Sequence, residues 1–97
     1  MICSVFAYSV DPPERSRFER VYGPDGEWAA FFRGAEGYLG TELLGAGSEY
    51  LVIDRWESEP AYDAFLDANA EEYARRNREA AGLWLSERVI GRFSAVR

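Results

Sequence analysis

The sequence predicts an α+β fold whose elements follow the order β-α-β-β-α-β. Three observations predict it: strand-length apolar segments open and close the chain, a glycine-rich turn joins two strands at its centre, and apolar residues recur at helical spacing on either side of that hairpin. This order is that of the ferredoxin-like arrangement, an antiparallel four-stranded sheet with its helices on one face. We expect a single domain, residues 1–97, because a chain of 97 residues has room for one core.

The first half of the chain contains one strand and one interrupted helix. Ile2 to Val10 alternates larger and smaller side chains, which predicts the first strand. Asp11 is the expected N-cap of the first helix, because two prolines follow it and Glu14 stands three residues beyond. A Gly-Pro step at Gly23 interrupts that helix, and Asp25 is the expected cap of a second short piece.

The second half contains a hairpin, a long helix and a closing strand. Tyr38 to Leu44 and Glu49 to Trp56 flank a turn whose glycines permit positive φ values, which predicts the hairpin. Ser58 is the expected N-cap of a helix from about Glu59 to Ala80. The pattern from Glu87 to Val96 predicts the closing strand.

Composition and charge exclude several classes of function. The chain has 17 acidic and 11 basic residues and a net charge of −6, which argues against a nucleic-acid partner. No apolar run approaches the roughly 20 residues of a membrane span, and the N-terminus lacks a secretion signal, so we expect no membrane partner and a cytoplasmic location. Cys3, the only cysteine, is expected to be a small buried strand residue.

Both faces of the second hairpin strand are apolar. Tyr50, Val52 and Trp56 share one face, and Leu51 and Ile53 share the other. Helices cover only one face of a ferredoxin-like sheet, and soluble monomers rarely expose a large apolar patch. We therefore expect two subunits to stack sheet against sheet as a homodimer.

Motifs along nearly the whole chain resemble one family. They are a crossover with a Trp and paired Phe, the strand GYLGTELL, the segment Tyr-x-x-x-Asp-x-Trp-x-Ser and a helix containing Ala-Tyr-x-x-Phe. Together these motifs are similar to the antibiotic biosynthesis monooxygenase domains, which are small dimeric α/β-barrel proteins. The resemblance implies that fold and either an oxygenase of aromatic polyketides or quinols that needs no metal or flavin, or a haem-degrading enzyme.

The haem-degrading branch does not fit the residues present. Those relatives use a histidine iron ligand, an asparagine on the first strand and a tryptophan on the second long helix. This chain has no histidine, its first strand has no asparagine, and Phe65 occupies the helix instead of Trp. Acidic residues also occur without converging His or Cys. We therefore expect no haem, no metal site and no other cofactor.

The resemblance implies a substrate pocket between the helices and the sheet. A cofactor-free oxygenase must bind an apolar ring, promote loss of a proton and exclude water, so we expect an apolar cavity of at least about 300 Å³. The expected substrate-binding residues are Trp28, Phe32, Trp56, Tyr62, Phe65, Asn69 and Tyr73, with Tyr8 and Trp84 as further wall candidates.

These residues also have structural interpretations. Asn69 either contacts a substrate or bonds a nearby backbone carbonyl, and the aromatic rings either line a cavity or fill the core. Asp54, Arg55, Arg88 and Arg92 either form ion pairs or dimer contacts, or supply an arginine that steadies a substrate phenolate or carboxylate. The sequence assigns no catalytic residue.

Three functions remain open on the sequence. The leading hypothesis is a cofactor-independent monooxygenase of an aromatic phenol or quinol. The alternatives are a non-catalytic dimer that binds an apolar metabolite, and a structural or stress-related dimer whose own side chains fill the cavity.

Overall fold

The computed structural model describes residues 1–96 and contains one four-stranded antiparallel sheet. The strands are β1 (Ile2–Ser9), β2 (Tyr38–Ala46), β3 (Glu49–Trp56) and β4 (Ser86–Ser94), in the spatial order β2-β3-β1-β4. The helices are α1 (Arg15–Tyr22), α2 (Glu27–Phe32), α3 (Glu59–Ala68) and α4 (Ala70–Ala80), with short 3₁₀ turns at Pro12–Glu14 and Ala81–Leu83. This order confirms the predicted ferredoxin-like α+β fold.

The predicted hairpin is confirmed: β3 has the predicted bounds, and β2 runs two residues closer to the turn than predicted. β2 continues to Ala46, and Gly47 turns the chain with a φ of 63°. Only glycine adopts that left-handed conformation without strain, which explains its place at the turn. β2 and β3 then pair in antiparallel register from Ala46 opposite Glu49 to Tyr38 opposite Trp56.

Of the three predicted helix caps, only Ser58 forms. Its side-chain oxygen accepts a hydrogen bond from the Ala61 backbone N–H at 3.2 Å. The Asp11 side chain makes no cap bond, and Glu14, the expected partner of a capping box, instead pairs with an arginine one turn along α1. Gly26 rather than Asp25 precedes α2, and the Asp25 carboxylate pairs with an arginine at 3.3 Å. Ion pairs therefore engage Glu14 and Asp25 away from the helix starts, and Asp11 makes no cap bond.

The prediction of one continuous helix from about Glu59 to Ala80 is wrong, because the helix breaks at Asn69 into α3 and α4. Asn69 has φ −125° and ψ 28°, outside the helical region. Its side-chain amide donates to the Phe65 carbonyl oxygen at 2.9 Å, and its backbone N–H donates to the same oxygen at 3.0 Å. Asparagine side chains compete with helical backbone bonding in this way. The amide is thus satisfied by a local carbonyl, as the structural interpretation expected.

The core lies between the helices and one face of the sheet and is mostly aromatic. Trp56, Phe18 and Val10 are its largest fully buried side chains. The Trp56 ring stacks on Tyr62 with centroids 4.9 Å apart, and its edge meets Phe32 at 5.5 Å. Such ring pairs add stability beyond the burial of their area.

The opposite face of the sheet has no helix over it in the single chain. Cross-strand pairing places Leu44 beside Leu51, and Ile53 beside Val5. Phe93, which is 52 % exposed, lies opposite Cys3 on the same face. Cys3 itself is half-buried rather than buried, because its neighbours on this face are uncovered. None of the helices within residues 1–96 is long and apolar enough to cross a membrane.

Candidate functional site

A small cavity lies between the helices and the sheet, and we call it the inner cavity. Its volume is about 30 Å³, which is room for one or two water molecules. The lining residues come from β1, β3 and all four helices, and they are Phe6, Tyr8, Tyr22, Trp28, Phe32, Val52, Asp54, Tyr62, Tyr73 and Asn77. Within residues 1–96, the expected cavity of at least about 300 Å³ is therefore absent between the helices and the sheet.

The structure places the predicted site residues in three places: the inner cavity, the packed core and a separate groove. Trp28, Phe32, Tyr62 and Tyr73 line the inner cavity, and the further candidate Tyr8 lies beside them. Trp84 does not line the cavity, although its indole N–H donates to the Tyr22 hydroxyl oxygen at 3.1 Å.

The other three predicted residues lie away from the inner cavity. Trp56 is 0 % exposed and fills the core, and its indole N–H has no hydrogen-bond partner within residues 1–96. Phe65 and Asn69 line a separate open groove of about 570 Å³ between α3 and the end of α2. The helix break at Asn69 separates these two from Tyr73, so the predicted continuous stripe does not form one wall.

Asp54 is the acidic residue of the inner cavity, and sequence reasoning did not assign it there. It lies on β3 between Val52 and Trp56 on the face that packs under the helices, and it is 5 % exposed. The Thr41 hydroxyl donates to its Oδ1 at 2.5 Å, and the Tyr38 hydroxyl lies 2.5 Å from the Thr41 oxygen. Burial raises the pKa of the Asp54 carboxyl group to about 6, although the Thr41 hydrogen bond acts in the opposite direction.

The predicted ion pairs form with other carboxylates rather than with Asp54. Arg55 pairs with Glu42 at 3.0 Å across the uncovered face. Arg92 bonds Glu59 at 3.0 Å and Asp63 at 2.9 Å on α3, at the edge of the helix layer. Within residues 1–96, no salt bridge reaches Asp54. Asp54 is therefore buried without a cation in the described part of the chain, so the ion pairs considered among Asp54, Arg55, Arg88 and Arg92 do not include it, and the alternative of dimer contacts stays a prediction.

The four tyrosines of the inner cavity are held in the neutral form. Burial raises the pKa of Tyr8, Tyr22 and Tyr73, and it raises the pKa of Tyr62 to about 12. The Tyr8 hydroxyl donates to Glu87 at 2.6 Å, and this bond to a carboxylate also favours the protonated phenol. At neutral pH these side chains can donate hydrogen bonds but cannot accept a proton.

A larger outer pocket lies directly beyond Trp28. It has a volume of about 280 Å³ between α1, α2 and α4, and its lining residues are Arg17, Arg20, Val21, Glu27, Trp28, Arg76, Glu79, Ala80 and Leu83. Trp28 lines both spaces and is only 8 % exposed, so the inner cavity and the outer pocket adjoin at this side chain.

The lining of the inner cavity defines the chemistry available there. Its rings can stack on an aromatic ligand, its hydroxyl and amide groups can orient that ligand, and its carboxylate can accept a proton. Within residues 1–96, no three His, Cys, Asp or Glu side chains converge in a way that could hold a metal ion.

The fold and this cavity define a small α+β domain with an aromatic site beneath its helices. The family model of antibiotic biosynthesis monooxygenases matches residues 1–77, and the chain belongs to this family. A search of curated proteins found no match.

Solved structures share the fold at low sequence identity. SnoaB, a cofactor-independent oxygenase from Streptomyces nogalater, is similar with a TM-score of 0.79 and 21 % identity over 99 % of this chain and 93 % of that one. A putative antibiotic biosynthesis monooxygenase from Nitrosomonas europaea gives 0.70 and 10 % over the whole of both chains. The monooxygenase ActVA-Orf6 of Streptomyces coelicolor, solved with nanaomycin D, gives 0.68 and 17 % over 99 % and 90 %.

Proposed function

We propose that the protein is a cofactor-independent monooxygenase that oxidises an aromatic phenol- or quinol-type small molecule. Membership of the family supports the reaction class, and the fold similarity to SnoaB and ActVA-Orf6 is consistent with it. The observation that carries the proposal is the lining of the inner cavity, where aromatic rings surround a few polar groups and nearly all water is excluded. The substrate's phenol class is inferred from that lining.

The proposed reaction needs only the substrate and dioxygen. Loss of a proton gives a phenolate, which passes one electron to dioxygen and forms a radical pair. The two radicals combine into a carbon–oxygen bond, and the resulting peroxide loses water to give a carbonyl. One oxygen atom enters the product, and the other leaves as water with the two hydrogens that the substrate loses. A dry cavity prevents water from intercepting the radical pair.

Substrate binding in this account requires Trp28 to move. The closed inner cavity is too small for an aromatic molecule, but the outer pocket begins on the other side of the Trp28 ring. Rotation of that ring would join the two spaces into a pocket at the lower end of the range of about 300–1,000 Å³ for small-molecule sites. The substrate would then enter between α1, α2 and α4.

The small closed volume favours one competing function, a structural dimer whose core its own side chains fill. A non-catalytic binder of an apolar metabolite is the second alternative. Both lack turnover, but only the binder takes up a ligand. Binding and turnover therefore have to be measured separately.

We infer that the functional unit is a homodimer formed through the uncovered sheet face. Leu44, Leu51, Ile53 and Phe93 form an apolar surface there, and the Glu42–Arg55 ion pair crosses it. Stacking two such faces would remove this surface from water, which favours association.

The deciding experiment measures oxygen uptake by the purified, metal-stripped protein with the anthrone dithranol as probe. We expect protein-dependent consumption of one dioxygen per dithranol oxidised, after correction for the spontaneous reaction. Binding without oxygen uptake would support the binder, and absence of both would support the structural dimer. The matched variants are Val52→Ile, which adds a methylene in the inner cavity, and Val5→Ile, which adds one on the uncovered face.

A further inference from the structure

We propose that Asp54 is the catalytic base of this site, and that its carboxylate removes the proton of the substrate's phenolic hydroxyl. The inference rests on the proposed function and names the residue that starts the reaction. It follows from the position of Asp54 in the inner cavity, the absence of a cation beside it and the chemistry of the other lining groups.

The other lining groups of the inner cavity cannot serve as the base. The apolar lining residues and Trp28 offer no proton acceptor, and Asn77 carries a neutral amide. The four tyrosines keep their protons at neutral pH. Within residues 1–96, Asp54 is the one carboxylate that lines the inner cavity, and Glu87 faces the site only as the acceptor of the Tyr8 hydroxyl, so Asp54 is the group that can take a proton from a bound ligand.

A structural role does not explain why this position carries a charge. The bond from Thr41 could equally be accepted by the side-chain oxygen of an asparagine, without the cost of burying an ion. A buried carboxylate is normally compensated by a cation, and within residues 1–96 no salt bridge provides one here. Thr41 occupies Oδ1, which leaves Oδ2 to receive a proton from the substrate.

Burial, rather than a neighbouring charge, keeps Asp54 ready to accept a proton. The groups facing the site from each element are Tyr8 on β1, Tyr38 on β2, Tyr22 on α1, Tyr62 on α3, Tyr73 on α4, and Arg92 and Glu87 at β4. Arg92 is bound to Glu59 and Asp63, so its charge is already matched. With a pKa near 6, Asp54 is ionised at neutral pH yet more basic than an exposed aspartate.

The proton is conserved through the reaction. The phenolic O–H bond breaks, its electron pair remains on the substrate oxygen, and a new O–H bond forms on Asp54. When the O–O bond of the peroxide later breaks, protonated Asp54 supplies one proton to the departing distal oxygen. The C–H bond at the carbon that carries the peroxide breaks as well: its electron pair forms the new carbonyl, and its proton is the second hydrogen of the water that leaves. The carboxylate is then restored for the next turnover.

Anaerobic binding separates proton removal from oxygen chemistry. Dithranol is titrated with the wild-type protein and with Asp54→Asn in the absence of oxygen; it forms its reactive anion by losing a proton from the ring methylene, or from the phenolic hydroxyl of its enol tautomer, and the absorption of this anion is recorded. We expect the anion with wild type, and binding of the neutral molecule by Asp54→Asn. Equal anion formation by both proteins would overturn the assignment. Failure of wild type to bind dithranol would overturn the proposed function, and this inference with it.

The pH dependence of turnover provides the second test. We expect Asp54→Asn to lower kcat by about 100-fold or more at pH 7, with a smaller change in KM. Its kcat should recover as the pH rises towards the pKa of the substrate, because a substrate that ionises in solution needs no base. Asp67→Asn, the same change at an exposed position of α3, should match wild type. An Asp54→Asn protein with the wild-type pH profile would contradict the role of Asp54.

Discussion

Replacing Asp54 by asparagine should stabilise the folded protein at neutral and alkaline pH, although it lowers kcat at pH 7. Burial raises the pKa of this carboxyl group from 3.8 to about 6. Each pKa unit corresponds to about 1.4 kcal/mol, so ionisation at this site costs the native state about 3 kcal/mol. An asparagine keeps an oxygen for the Thr41 hydroxyl and removes that cost.

The sign of the pH dependence follows from the direction of the pKa shift. Below pH 3.8, Asp54 is protonated in both the folded and the unfolded chain, and its burial carries no ionisation cost. As the pH rises through about 4 to 6, the unfolded chain ionises more readily, and native stability falls. The cost is complete above the folded-state pKa. Asp54→Asn should therefore gain stability relative to wild type between pH 4 and pH 8.

This prediction is tested by urea unfolding at pH 4 and at pH 8, with tryptophan fluorescence as the signal. At equal protein concentration, the difference in unfolding free energy between Asp54→Asn and wild type should move by about 2 kcal/mol in favour of the variant from pH 4 to pH 8, because part of the ionisation cost is already present at pH 4. All other titrations are common to the two proteins and cancel. The control Asp67→Asn is exposed and should show no such change. An Asp54→Asn difference that is the same at both pH values would refute the reasoning.

Three further changes test separate parts of the account. Val52→Ile should retain or gain up to about 0.8 kcal/mol of stability by filling the inner cavity, but should weaken dithranol binding measured by fluorescence quenching. Leu51→Lys places a charge on the uncovered sheet face and should convert the dimer into a folded monomer, as measured by light scattering. Thr41→Val removes the hydrogen bond that lowers the pKa of Asp54, so the lower limb of the kcat–pH profile should move to higher pH.

Different outcomes would contradict each of these predictions. The control Val5→Ile should leave dithranol binding unchanged. Equal weakening of binding by Val52→Ile and Val5→Ile would contradict the proposal that dithranol binds in the inner cavity. A wild-type protein that is already monomeric would refute the dimer. A Thr41→Val profile that moves to lower pH would contradict the role of the Thr41 hydrogen bond.

The sheet was predictable from sequence because the alternation of side chains along a strand shows which residues share a face. In β3, Tyr50, Val52 and Trp56 were assigned to one face, and Leu51 and Ile53 to the other. The structure buries the first set under the helices, while Leu51 stays exposed and Ile53 half-buried on the uncovered face. A strand has a period of two, so one buried residue determines the face of all the others.

The site was less predictable, because it depends on contacts that periodicity does not describe. Helical spacing placed Asn69 and Tyr73 on one stripe, but the Asn69 side chain bonds the Phe65 carbonyl and the helix breaks there. Trp56 fits the core so closely that it fills the space that it was expected to line. Asp54 shared strand parity with buried residues, and that was the signal that could have placed it under the helices.

The most direct test of the central claim is the fate of isotopically labelled dioxygen. Metal-stripped protein is incubated with dithranol under oxygen-18 gas, and the anthraquinone product is analysed by mass spectrometry. The account predicts one oxygen-18 atom per product molecule, formed at a rate proportional to protein concentration. Unlabelled product, or labelled product formed no faster than without protein, would contradict the assignment of this chain as a monooxygenase.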